Sequence, residues 1–345
     1  MRPSQLEKLL DRCIPAGIPV LISGGPGGGK TEISKQSAIR AGRDVIIMHP
    51  VIKNPTSFEG LGAIVKDEKG TPHAEFLHYG DMVRILEATK PTVAIIDDMG
   101  QAPMATQAAL MQVILERSIN GQVVSPNVTF VACTNRRQDK SGVNPILRAL
   151  LTRFATVVTL EPDVTDWSNW GHKEGVNPLL IAFINYRPDY LNRPPEHLLE
   201  LQNYPNPRTL WRIHQLLTLA FEEEMELEVY SGAVGEAMTV EFLAFRNIYT
   251  QLPDPLLMLA KPHDVVIPKD LGTLYALLAA LTDKVDKENV GAFFTIMQRL
   301  KGERKFEGGP ELVITGVKGL ITRKGWVQQT QAFIKWAVTD GQHLL

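Results

Sequence analysis

The stretch Gly24-Gly-Pro-Gly-Gly-Gly-Lys30-Thr31 restricts this chain more than any other feature of its sequence. It fits the spacing G-x-x-x-x-G-K-[ST]. The apolar run 20–23 precedes it and a helical segment, 31–40, follows, which is the strand–loop–helix context the pattern requires. The residue types answer to physics. Glycines let successive backbone N–H groups curl inward around phosphate oxygens, and the N-terminus of the following helix adds positive potential. The set expected to contact a nucleotide is Gly25, Pro26, Gly27, Gly28, Gly29, Lys30, Thr31 and Glu32. Lys30 would neutralise the β- and γ-phosphates and Thr31 would coordinate Mg²⁺.

The second signal is Thr92-Val-Ala-Ile-Ile-Asp97-Asp98, an apolar strand ending in paired carboxylates. Downstream of a phosphate loop, such a strand end places Asp97 near Mg²⁺ and Asp98 near the γ-phosphate, where an acidic group orients the attacking water. By itself, an apolar run ending in two aspartates would mean little.

The apolar runs 20–23, 44–48, 92–96, 128–133 and 156–160 are rich in Val and Ile and do not alternate with polar residues. Strands buried on both faces of a parallel sheet read this way. Helical patterns lie between them; after Pro103, Met104, Ala108, Met111 and Leu115 form an apolar stripe. The expected fold is a three-layer α/β domain with a parallel five-stranded sheet over residues 1–162. After about Asp163 the patterns turn helical, most clearly over 208–220, 234–249, 271–281 and 290–300. These suggest a helical lid (163–225) and a helical C-terminal region (226–345).

Hydrophobic residues make up 44% of the chain and charged residues 21%, enough apolar surface for a sizeable core. A formal net charge of -2 argues against a general nucleic-acid coat. Cys13 and Cys133 lack ligand spacing, and Cys133 sits in an apolar run as a small hydrophobe. His49, His73 and His78 follow no metal-ligand pattern, so Mg²⁺ with the nucleotide is the only metal expected. No run approaches a membrane span or a secretory leader, and the expected location is cytoplasmic.

With these motifs in place, the sequence resembles the AAA+ ATPases, and most of all their MoxR branch, over roughly residues 15–220. Three further segments carry the resemblance. Val131-Ala-Cys-Thr-Asn135 is similar to the family's sensor 1, which implies that Asn135 contacts the γ-phosphate or the attacking water. Pro145-Ile-Leu-Arg148-Ala-Leu-Leu-Thr-Arg153-Phe154 resembles the segment that supplies an arginine finger to a neighbouring subunit, with Arg153 the first candidate and Arg148 the second. Asn206-Pro-Arg208-Thr-Leu-Trp211 resembles sensor 2, with Arg208 reaching back to the nucleotide. Two predicted hairpins fit the branch: one turns at Asn120-Gly121, and the other pairs Ala63-Ile-Val65 with Ala74-Glu-Phe-Leu77. The departure is Asp98, where the family usually has Glu. The resemblance implies ATP hydrolysis with Mg²⁺ in a homo-oligomeric ring, most often a hexamer. It also implies remodelling or activation of a protein partner, often a von Willebrand factor A-domain protein.

Other readings meet obstacles. Asp97-Asp-Met-Gly100 imitates the D-x-x-G of GTPases, but Thr134-Asn-Arg-Arg-Gln-Asp139 is not the N-K-x-D that reads guanine. No residues suggest the acceptor pocket of a small-molecule kinase. A slow-hydrolysing nucleotide switch stays open because of Asp98. A DNA-directed motor stays open because related rings share both hairpins, although Asp67, Glu68 and Lys69 at one tip nearly cancel in charge.

Overall fold

The computed structural model describes residues 1–136, 139, 144, 146–195, 202–303 and 308–341. The chain forms two compact units, Met1–Glu161 and Pro162–Leu345.

In chain order the first unit contains α1 (Pro3–Cys13), β1 (Val20–Gly24), α2 (Lys30–Arg40), β2 (Asp44–Met48), α3 (Thr56–Glu59), β3 (Leu61–Lys66), β4 (Pro72–Leu77), α4 (Asp81–Leu86), β5 (Thr92–Ile96), α5 (Met104–Met111), β6 (Ser118–Ile119), β7 (Gln122–Val123), β8 (Val128–Asn135), α6 (Arg148–Leu151) and β9 (Thr156–Leu160). Five strands form one parallel sheet in the order β2-β5-β8-β1-β9. Successive side chains of a strand point to opposite faces, and the burial follows that rule. Val20, Ile22, Val93, Ile95, Val131 and Cys133 pack with Leu6, Leu10 and Ala38 of α1 and α2. Leu21, Ala94, Ile96, Phe130 and Ala132 pack on the other face with Met82, Ile85, Leu110 and Val113. These are the three layers the sequence predicts.

Two expectations need correction. The runs 44–48 and 156–160 are edge strands and only partly buried, with Val157 51% exposed, whereas β5 and β8 are buried throughout. The stripe after Pro103 is also rotated. Met104 and Leu115 are about half exposed, and the inward face of α5 carries Thr106, Gln107, Ala109 and Leu110. Two polar residues lie inward because the flanking backbone needs them. Thr106 Oγ1 donates to Lys53 O at 3.1 Å, Gln107 Nε2 donates to Ala102 O at 3.1 Å, and Gln107 Oε1 accepts from Leu147 N at 3.2 Å. A satisfied polar group is buried at little cost.

Both hairpins form. β3 and β4 pair antiparallel from Leu61↔Leu77 to Lys66↔Pro72. β6 and β7 close through Asn120 (φ 49) and Gly121 (φ 81), two left-handed residues as a tight hairpin turn requires. Asn120 Nδ2 donates to Glu59 O at 2.6 Å, tying the second hairpin to the base of the first.

The described part of the second unit contains only helices: α7 (Val164–Lys173), α8 (Pro178–Tyr186), α9 (Pro207–Leu217), α10 (Glu223–Val234), α11 (Glu236–Thr250), α12 (Pro255–Ala260), α13 (Leu271–Lys284), α14 (Val290–Glu303), α15 (Gly309–Arg323) and α16 (Gln331–Thr339), with short 3₁₀ turns between some of them. Asp163, Asn177, Asn206, Asp254 and Asp270 cap helices through their side chains. One core cluster joins Trp167, Leu180, Phe183 and Leu210 with Tyr230, Phe242 and Phe245, so it runs across residue 225. A second gathers Leu274, Phe293, Met297, Leu320 and Trp336. Trp170 and Trp211 pack ring to ring at 5.4 Å. No helix among the described residues is long and apolar enough to cross a membrane.

Candidate functional site

Strand register assembles the site. Gly24, the last residue of β1, lies opposite Asn135 on β8 and Leu160 on β9. Ile96 pairs with Ala132, so Asp97 and Asp98 leave β5 level with the end of β8. The carboxyl ends of parallel strands therefore place the loop, the carboxylates and Asn135 along one edge, the usual location of sites in such sheets. Gly24 has no room for a side chain, because a Cβ there would lie 2.8 Å from Leu160 O. Gly29 caps α2 with φ 91, a conformation that side-chain-bearing residues rarely adopt.

Lys30 is buried, and its Nζ donates to Gly24 O (3.0 Å), Gly25 O (2.9 Å) and Asn135 Oδ1 (2.8 Å). An ammonium has three protons, and these acceptors engage all of them. Asn135 turns its Nδ2 the other way, donating to Asp98 Oδ1 at 3.2 Å. One amide thus links the loop lysine to the second carboxylate. Thr31 Oγ1 donates to Asp97 Oδ1 at 2.7 Å, and the Asp98 N–H donates to the same oxygen at 3.1 Å. Thr31 and Asp97 form an oxygen-donor pair of the kind a hard cation such as Mg²⁺ prefers when substrate phosphates complete its shell. The first-turn N–H groups of α2 lack intrahelical acceptors and suit an anion. Glu32, also in that turn, is exposed and bonded to Gln36 Nε2 at 3.1 Å.

Asp98 takes φ 52 and ψ 37. Aspartate tolerates this left-handed conformation better than most residues. The shorter acid at this position suits the backbone that carries it.

Cys133 lies beneath the site, 3.8 Å from Ser34 Oγ. Burial first, and then the negative charge of Asp97, push its thiol up to about 12, so it is packed as a hydrophobe and held protonated.

Among the described residues Arg148 and Arg153 share no hydrogen bond with this network, and Arg208 lies in the other unit. Arg148 opens α6 and is exposed. Arg153 is half-buried; one of its guanidinium nitrogens donates to Thr152 Oγ1 at 3.2 Å, and its buried Nε has no partner among the described residues. Pro145, which begins this segment, lies outside the described residues. Arg208 belongs to the second unit, where it is exposed in the first turn of α9 and its N–H is capped by Asn206 Oδ1 at 3.0 Å.

Two residues near the site escaped the motif reading. His49 follows β2, with Nδ1 3.9 Å from Asp97 Oδ2. Arg136 follows Asn135 directly and is held by Asp139 and Glu161. Its place immediately after a polar strand end was the available signal.

A phosphate-type loop, paired carboxylates and a polar residue ending the adjacent strand, on a sheet of this order, agree with the family comparison. Residues 19–154 match the AAA domain of the dynein-related subfamily. That AAA domain takes in the loop, Asp97, Asp98, Asn135, Arg148 and Arg153, and stops short of Arg208. Similar solved structures include the RuvB Holliday junction branch migration motor of Thermotoga maritima, at 15% identity over 81% of this chain and 80% of that one, with a TM-score of 0.40. NtrX from Brucella abortus is 12% identical over 88% of this chain and 64% of that one, with a TM-score of 0.41. No curated protein sequence matches the chain.

Proposed function

We propose that this chain binds and hydrolyses ATP as an AAA+ protein of the MoxR type, working in a homo-oligomeric ring, most simply a hexamer, to remodel or activate a protein partner. The observation that carries the chemistry is the continuous chain of bonds Lys30–Asn135–Asp98 beside the Thr31–Asp97 pair. Thr31 and Asp97 would hold Mg²⁺, which when bound supplies positive charge against the β- and γ-phosphates. Lys30 would exchange one of its present acceptors for a phosphate oxygen. Asp98 would orient and deprotonate the attacking water, and Asn135 would hold that carboxylate in place. Arg153, or else Arg148, would complete a neighbour's site, and Arg208 would answer to the nucleotide from the helical unit. Alternation between ATP and ADP states would then move the inserted hairpins.

The protein-partner part of this reading rests on the sequence resemblance and on the β3–β4 hairpin, whose Ile64 is 81% exposed. A von Willebrand factor A-domain protein is the partner class the resemblance suggests, and the cytoplasm the location. A second reading, a nucleotide switch with slow turnover, is favoured by Asp98, one methylene shorter than the acid usual in the ATPases the sequence resembles.

ATP turnover per subunit, measured over a wide range of protein concentration, tests the proposal. A ring with shared sites gives turnover that climbs with concentration and is lost in Lys30→Ala, Asp98→Asn and Arg153→Ala. Turnover independent of concentration and untouched by Arg153→Ala or Arg148→Ala would overturn the shared site. Tight ATP binding without turnover would select the switch.

A further inference from the structure

In the sheet, β1 lies between β8 and β9, and Gly24 ends level with Asn135 on one side and Leu160 on the other. The residues that follow these two, Arg136 and Glu161, meet each other. Arg136 Nη1 donates to Glu161 Oε1 at 2.6 Å. The guanidinium is anchored from a third direction by Asp139, with Nε to Oδ2 at 3.0 Å and Nη2 to Oδ1 at 3.1 Å. Between β8 and β9 the chain that continues β1 is Gly25, and a Cβ built there would touch Arg136 Nη2 at 3.5 Å. The ion pair therefore crosses the first residue of the phosphate loop.

We propose that Arg136 is a positioning residue for the nucleotide, acting with Glu161 as a strap that fixes the entry of the Gly25–Gly29 loop. The inference rests on the ATP-binding reading above. A loop built almost entirely of glycine has many backbone states to lose when it closes on phosphate. Fixing one end removes part of that loss before the ligand arrives, and such preorganisation appears as affinity. Gly25 is also the residue whose carbonyl accepts from Lys30 Nζ at 2.9 Å, so its position bears directly on where the lysine sits. Arginine suits the task because its planar fork serves Asp139 through one edge while its remaining nitrogen reaches Glu161. A lysine ammonium is a point charge and lacks the planar two-nitrogen edge that holds Asp139.

The test is binding of a fluorescent ADP analogue, together with steady-state ATP turnover and thermal melting, in the full chain and in Glu161→Gln, Arg136→Gln and Arg136→Lys. Glu161 is half exposed, so its amide variant keeps the fold and leaves the Arg136–Asp139 pair in place. The strap predicts that Glu161→Gln and Arg136→Gln raise Kd and KM about tenfold, equivalent to about 1.4 kcal/mol, with kcat within about twofold. Arg136→Lys falls between these and the parent chain. A Kd unchanged in both glutamine variants, while the parent binds nucleotide, overturns the strap. A lowered melting temperature with unaltered Kd assigns the ion pair to stability alone and overturns it equally. Failure of the parent chain itself to bind nucleotide overturns the ATP reading, and the strap with it.

Discussion

Lys30 and Asn135, 105 residues apart in the chain, meet at 2.8 Å where the first residue of α2 reaches the end of β8. Each is useful to the other. The amide oxygen completes the three acceptors of a buried ammonium, and the amide nitrogen is thereby turned toward Asp98. Asn135→Ala removes both contacts while leaving the loop glycines untouched. Its turnover should fall by roughly 10²-fold, the lower end of what a positioned acid–base group contributes. Nucleotide affinity should change much less, and comparing kcat with Kd checks this.

The backbone at Asp98 separates two substitutions. Asparagine shares aspartate's tolerance for a left-handed φ, so Asp98→Asn should fold normally and lose about 10²–10⁴-fold in turnover. Asp98→Glu introduces the acid usual in the ATPases that the sequence resembles, at a position where ordinary residues are strained by about 1–2 kcal/mol. It should melt at a lower temperature than the parent chain without gaining activity. Thermal melting beside ATPase assays of the two variants decides the matter, and faster turnover in Asp98→Glu would contradict it.

Thr31 and Asp97 are expected to act as one metal-holding pair, since a single hydrogen bond of 2.7 Å joins their oxygens. Thr31→Ala and Asp97→Asn should each raise the Mg²⁺ concentration giving half-maximal turnover by about tenfold or more, as loss of a ligand or its support does in metal sites. Titration of turnover with Mg²⁺ at fixed ATP provides the readout. Unaltered Mg²⁺ dependence in both variants would remove these residues from the metal site.

The helical unit should have its own acid sensitivity. His172 on α7 packs against α15, where a Cβ at Gly319 would come within 2.8 Å of its Nε2. Burial first, and then the positive charge of Arg323, lower its pKa from 6.5 to about 4. The folded state therefore binds fewer protons than the unfolded state between those values. Stability is complete above about pH 6.5 and falls as the pH drops toward 4, by at most about 3 kcal/mol for a shift of this size. Urea unfolding followed from pH 7 to pH 4.5 should show that loss in the parent chain. His172→Gln, which cannot titrate, should show a smaller one. Equal pH dependence in both would place the effect elsewhere.

Much of the fold was legible because its signals are local. The apolar run 92–96 is β5, and the run 128–133 is β8 extended by two residues to Asn135. Asn120-Gly121 is a strong local hairpin signal because both residues accept the left-handed φ of a two-residue turn. The stripe after Pro103 misled for a physical reason. Apolar periodicity marks the buried face only when burial is apolar, and α5 turns Thr106 and Gln107 inward to bond Lys53, Ala102 and Leu147. Edge strands were equally invisible, because Val157 on β9 reads like any core valine until the strand order is known.

The sequence alone determined that residues 24–31 cradle a strong anion if they cradle anything, since only glycines before Lys-Thr can turn that many N–H groups inward. It also determined that a carboxylate pair ends an apolar strand. The motifs already set Asp97 beside Thr31, whereas only the tertiary structure decided that Asn135 bonds both Lys30 and Asp98 and that Arg136 meets Glu161. The order β2-β5-β8-β1-β9 brings Asn135 to Lys30 and Glu161 to Arg136. Strand order is a property of long-range packing, and no local pattern in the chain encodes which strands become neighbours.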